Sequence, residues 1–100
     1  MKKRTYKISE KVWVYPGDFA NWHFVTLTKK YGAEIKEKFG VHAKGFGSIP
    51  VTVTIGNTTW NTSIFPDKRV GSYLLPLKAK VRKIEDIEEG ETVTFSIEVR

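Results

Sequence analysis

Four cations crowd the stretch YLLPLKAKVRK, which runs from Tyr73 to Lys83: Lys78, Lys80, Arg82 and Lys83. Such a cluster has the composition of a phosphate grip. At about 100° per residue, Leu77, Val81 and Ile84 share one helical face, and Lys78, Arg82 and Lys83 lie opposite. Two accounts fit this pattern: a face that tracks phosphates, or the solvated outer face of a helix docked on a core. Glu85, Asp86, Glu88, Glu89 and Glu91 follow at once. They lie within about a Debye length of ~8 Å and weaken any local field, which favours the solvated face. A second candidate is a pair of loops. KGFGS sets Phe46 between two glycines, where the backbone can adopt unusual conformations and expose N–H groups. FPDKRVG offers Asp67, Lys68 and Arg69. Brought together over Trp60 or Tyr73, these loops would form a concave site with an aromatic floor and a cationic rim, suited to a small anionic or polar ligand.

Other chemistries find little support. His23 falls in a strand pattern and His42 in a loop, with no second histidine or acid at ligand spacing. There is no cysteine, so neither a disulfide framework nor a thiolate site is available. No metalloprotease, hydrolase or phosphate-loop motif occurs. General acid–base work needs a positioned pair or a desolvated group, and none is readable. The expectation is a protein that is not an enzyme, with no metal and no cofactor.

The elements that must position the loops follow from periodicity. Tyr6, Ile8, Val12 and Val14 alternate with polar residues as one strand. A Pro16–Gly17 loop leads to a second strand from Trp22, in which Trp22, like Trp13, is assigned to the core. Thr28 is a credible helix N-cap. Tyr31, Ile35 and Phe39 then recur every fourth residue up to Gly40, and Gly32 predicts a helix that is short or late to start. IPVTVTIGNTTWNTSIF is a hairpin with Gly56–Asn57 at its turn. Pro66 to Gly71 reads as a loop, SYLLPL as a strand, Lys78 to Glu85 as a short helix, and TVTFSIEV as a closing strand. Strands dominate, so the fold class is mainly β: a small closed or double-split β-barrel with two short helices, which leaves few free edges. A faint echo between FVTLTKKYGAEIKEKFG…GSIPVTVTI and YLLPLKAKVRKIEDIEEGETVTFSIEV suggests two βαβ halves related by a pseudo-two-fold.

One hundred residues with 40% hydrophobic content make a single domain, residues 1–100, with residues 1–5 a disordered basic tail. No apolar run approaches the roughly 18 residues of a membrane span, and no apolar segment follows Lys2, Lys3 and Arg4, so no membrane association and a cytoplasmic location are expected. The net charge of +6 points only weakly to anionic partners. The predicted outer strand positions, Thr52, Thr54, Thr59, Asn61, Ser63, Thr92, Thr94 and Ser96, are polar and neutral, which disfavours nucleic acid on that sheet.

Three stretches, KVWVYPG…WHFVTL, GFGSIPVTVTIGNTTWNTSIFPDK and GSYLLPLKAKVRKIEDIEEGETVTFSIEV, together resemble the proteins grouped as domain of unknown function 1905. The likeness covers Lys11 to Val99. It implies a double-split barrel, related in fold to the swapped-hairpin barrels of AbrB-like regulators, with one chain supplying both halves. It implies no activity. In the AbrB-like DNA-binding halves an arginine follows the strand-ending proline by four residues. Here Arg82 follows Pro76 by six, so the likeness carries the fold and not the DNA contacts. The leading expectation is thus a non-catalytic binding module, monomeric or weakly dimeric, with its ligand site at Lys44, Phe46, Trp60, Asp67, Lys68, Arg69 and Tyr73. The alternatives are a nucleic-acid-binding barrel using Lys78, Arg82, Lys83 and the N-terminal Lys/Arg arm, and a protein-interaction module.

Overall fold

Val51, Val53 and Ile55 alternate with Thr52 and Thr54, and a strand of period two must put its apolar set on one side of a sheet. The computed structural model describes residues 4–16 and 21–100 and shows this pattern in β4 (Ile49–Ile55), where every second residue is buried. β4 turns through Gly56 and Asn57 into β5 (Thr58–Asp67). Gly56 has φ +56° at the first central position, the geometry of a type II′ turn, which glycine adopts without steric cost. The outer face carries hydroxyl and amide pairs. Thr52 donates to Asn61 at 2.7 Å, and Thr54 and Thr59 meet at 3.0 Å. Cross-strand pairs of this kind pin the register.

β7 (Thr92–Val99) buries Val93, Phe95, Ile97 and Val99, as its period-two pattern requires. It lies between β4 and β1 (Thr5–Lys11). On the other side, β5 continues to β6 (Ser72–Pro76), then β3 (Asn21–Thr26), then β2 (Trp13–Pro16). The result is one curled antiparallel sheet in the order β1-β7-β4-β5-β6-β3-β2. Only Val12 separates the two strands at its ends. Its N–H donates to Glu91 C=O and its C=O accepts from Gly90 N–H, both near 2.9 Å.

The pairing map is symmetric. β3 runs antiparallel to β6 with Val25 opposite Leu75, and β4 runs antiparallel to β7. β5 pairs with β4 through its first part and with β6 through its last residues. In the same way, the segment 5–16 pairs with β7 through β1 and with β3 through β2. Residues 5–55 and 58–99 therefore each run bent strand, strand, helix, strand.

The first helix, α1 (Lys29–Phe39), is full length, not short or late. Thr28 caps it, its hydroxyl accepting from the Tyr31 N–H at 3.3 Å. Gly32 is explained by packing. A Cβ there would overlap Ser72 Oγ and come within 3.1 Å of Ser72 Cα. The glycine costs the helix about 1 kcal/mol against alanine but lets α1 lie directly on β6, where Ser72 Oγ donates to Thr28 C=O. Ile35 and Phe39 then close the core over the sheet. Tyr6 is buried beside α1, and its hydroxyl is pushed up to about 12, by burial first and then by Glu34.

Several expectations are corrected. The first strand breaks at Val12, and β5 extends through Pro66 and Asp67, which pair with Tyr73 and Ser72. Arg4 and Thr5 are held rather than loose. Thr5 starts β1, and Arg4 C=O accepts from Val99 N–H while its guanidinium lies 5.4 Å from the Phe39 ring centre. Lys2 and Lys3, and the stretch from Gly17 to Ala20, lie outside the described residues. Leu77, just before α2 (Ala79–Ile84), and Val81 within it face inward, but Ile84 is exposed. The helix ends there in a Schellman turn: Asp86 takes φ +53°, Ile87 N–H donates to Arg82 C=O at 2.8 Å, and Ile87 covers the core in place of Ile84.

This packing predicts that Gly32→Ala destabilises the protein by about 1–3 kcal/mol through overpacking, despite alanine's better helix propensity. Gly40→Ala meets only Lys36 Cγ at 3.6 Å, so its stability stays within about 0.5 kcal/mol of the parent. Chemical denaturation measures both; equal stabilities for the two variants would contradict the close approach at Ser72.

Candidate functional site

β6 has a groove at each end. The groove beside Tyr73 has a volume of about 500 Å³ and is formed by the two loops singled out above, with α1 as its far wall. Phe46, Pro66, Asp67, Lys68, Tyr73 and Lys36 line it. The turn after β5 is built on Asp67, whose C=O accepts from the Val70 and Gly71 N–H groups. The Asp67 carboxylate is buried and takes three bonds from Arg69: backbone N–H at 3.0 Å, Nε at 3.1 Å and Nη2 at 3.0 Å. The Arg69 side chain holds this carboxyl below its ordinary value, partly opposed by burial. Arg69 therefore spends its charge on Asp67, and among the described residues Lys68 and Lys36 are the cations left at the rim. Lys36 sits on the polar side of α1 and was not anticipated.

In the other loop, Phe46 adopts φ +60° and ψ +20°, a left-handed conformation rare for an aromatic residue, and is 97% exposed. The loop's N–H groups are not all free to hold an anion. Lys44 N–H donates to Ser48 C=O, Gly47 N–H to Lys44 C=O and Ser48 N–H to Gly45 C=O. Lys44 itself is exposed and does not line the groove. What the groove does contain is the Tyr73 side chain. Tyr73 is 5% exposed, burial raises its hydroxyl above the ordinary value, and among the described residues the hydroxyl has no hydrogen-bond partner. The hydroxyl is therefore open to a partner that enters the groove.

Trp60 is not the floor of this groove. It lies opposite Val53 near the hairpin end of β5, whereas Tyr73 lies opposite Pro66 near the other end. Six residues of strand, roughly 20 Å, separate the two positions. Trp60 instead lines the second groove, about 320 Å³, with Trp22, His23, Asn61, Lys78 and Arg82. Two of the three residues assigned to nucleic acid are thus together, and Lys83 is not with them. Arg82 is no free surface cation. Its Nε donates to Leu77 C=O at 3.0 Å and its Nη1 to His23 Nε2 at 3.4 Å. The other ring nitrogen of His23, Nδ1, lies 3.2 Å from Asn21 C=O, so the tautomer consistent with both contacts carries its proton on Nδ1. Among the described residues none of Lys78, Lys80, Arg82 and Lys83 forms an ion pair with the acids that follow them.

Trp22, assigned to the core, is 58% exposed. Strand alternation explains it: Val25 and Leu27 are fully buried, so Trp22 and Phe24 have the opposite parity. Trp13 is half-buried on that same face, its ring 5.1 Å from Phe24 and its indole N–H donating to Thr26 Oγ1 at 2.8 Å. Parity was the signal for Trp22, and its hydrophobicity masked it. His23 and Asn61 carried no signal, since only the fold brings them to Arg82.

Among known proteins, the family model described as Domain of unknown function (DUF1905) matches residues 9–97. No curated protein matches the chain.

The Asp67–Arg69 contact carries a pH prediction. A carboxyl depressed below 3.8 in the fold contributes stability above that value, lost as pH falls through the depressed one. Asp67→Asn should therefore melt below the parent at pH 7, with the gap closing as the pH falls below the ordinary carboxylate range. Thermal melts across this range test it, and a gap independent of pH would contradict the assignment.

Proposed function

The chain belongs to the family described as Domain of unknown function (DUF1905), and we propose that it is a non-catalytic binding module that seats a small polar or anionic ligand against Tyr73. The carrying observation is Tyr73: a residue only 5% exposed, whose hydroxyl has no protein partner among the described residues and which lines a groove of ligand size. A ligand oxygen satisfies that hydroxyl, Lys36 and Lys68 supply the charge complement, and Phe46 and Pro66 cover the apolar part of the ligand. Binding without catalysis fits Asp67, the acid at this groove. A carboxylate that already accepts three bonds from Arg69 is a weak base.

The scaffold in this reading is a double-split barrel. Support for it comes from Val12, which joins β1 to β2 as the counterpart of β5, and from the β3·β6 and β4·β7 pairings, which link the two halves. Closure of this kind removes free edges and gives both loops a rigid base.

Titration of the isotope-labelled protein with phosphorylated metabolites and short oligosaccharides tests the site. Amide signals of Gly45–Ser48 and Lys68–Tyr73 should shift. Tyr73→Phe should weaken binding roughly tenfold, about 1.4 kcal/mol, the worth of one hydrogen bond to an anion or polar oxygen. No shift across the panel, or equal affinity for the phenylalanine variant, would overturn the proposal.

A further inference from the structure

The groove at the other end of β6 has a different chemistry and stands apart from the Tyr73 site. We infer that it binds one nucleotide unit, with the base on Trp22 and Trp60 and the phosphate on Arg82 and Lys78. Four observations lead there. Trp22 is 58% exposed, opposite Tyr15 of β2 and two residues before β3 joins β6, so an apolar side chain is presented to solvent from the sheet. Trp60 packs partly on the core and turns its remaining surface into the same groove. Arg82 is pre-oriented by Leu77 C=O and His23 Nε2, contacts that engage two of its five N–H donors and leave the rest for an anion. Asn61 lies on the rim; its Oδ1 accepts from Thr52, and its amide NH2 faces the groove as a donor for a base edge.

Exposed aromatics interleaved with cations are the means by which proteins hold unpaired bases, because every base has a stacking face. The volume of about 320 Å³ is at the lower limit for a ligand pocket and suits one nucleotide. The surrounding sheet supports that restriction. Its outer positions are threonine, serine and asparagine, paired with one another, which offer no cationic track for a duplex backbone. The salt dependence should accordingly be shallow, with a log–log slope near −1 to −2, in contrast to the steep slope of a protein that neutralises many phosphates.

The test uses the full chain with adenosine monophosphate, a short single-stranded oligonucleotide, a mixed-sequence duplex and inorganic phosphate. The indole N–H signals of Trp22 and Trp60 and tryptophan fluorescence report binding. The nucleotide and the single strand should shift both indoles. Trp22→Ala, an exposed substitution with melting behaviour like the parent, should lower affinity tenfold or more. Arg82→Lys, which keeps the charge and loses the fork, should lower it severalfold. Tighter binding of the single strand than of the mononucleotide identifies a strand as the source; equal affinities identify the free nucleotide. Silence of both indoles, binding of the duplex alone, inorganic phosphate binding as tightly as the nucleotide, or unchanged affinity in Trp22→Ala would each overturn the assignment.

Discussion

The short pairing of β3 with β6 is the contact on which both grooves depend. Only Phe24 to Thr26 and Leu74 to Pro76 are in register, centred on the fully buried Val25 and Leu75. Two further bonds extend the pairing beyond the strands: Leu27 N–H to Tyr73 C=O and Leu77 N–H to His23 C=O, each 2.9 Å. These bonds run through the groove residues themselves. Tyr73 and His23 are fixed by their carbonyls, and the chains that leave at Leu27 and Leu77 become α1 and α2. A slip of one residue would turn Val25 and Leu75 to the outside and send Trp22 inward. The register therefore decides which aromatic is core and which is surface.

From this junction the loops take their shape by local chemistry. Asp67 gathers its own turn and ties down Arg69, so the groove beside it is less cationic than its composition implies. Glu85, at the end of α2, accepts from Thr58 Oγ1 at the start of β5 and lies over Gly56. That contact joins the helix bearing Arg82 to the hairpin bearing Trp60, so the two walls of the second groove are held by one carboxylate. Charge here serves geometry first, and only the cations left over are available for a ligand.

The strands were legible because their code is local. The alternation in β4 and β7 states which residues face inward, and Gly56–Asn57 states where the hairpin turns. The N-cap at Thr28 was equally plain. Three features were not local and were missed. Gly32 reads as a helix breaker until β6 is seen pressed against it. Ile84 fits the helical face of Val81, but α2 ends at Ile84 in the left-handed turn of Asp86, and Ile87 covers the core instead. Arg82 reads as a solvated cation, yet its partners are a carbonyl in the preceding segment and a histidine far away in sequence. The candidate loops were brought together as their composition suggested. Trp60 was misplaced because a strand of this length carries its two ends to different grooves.

Amide hydrogen exchange of the native protein addresses the junction most directly. If the β3·β6 contact underlies the structure, the Leu27 and Leu77 amides exchange only through global unfolding, with equal free energies that match the denaturation value. Exchange of either amide orders of magnitude faster than the β4 and β7 core would show that the grooves open independently of the fold and would contradict this account.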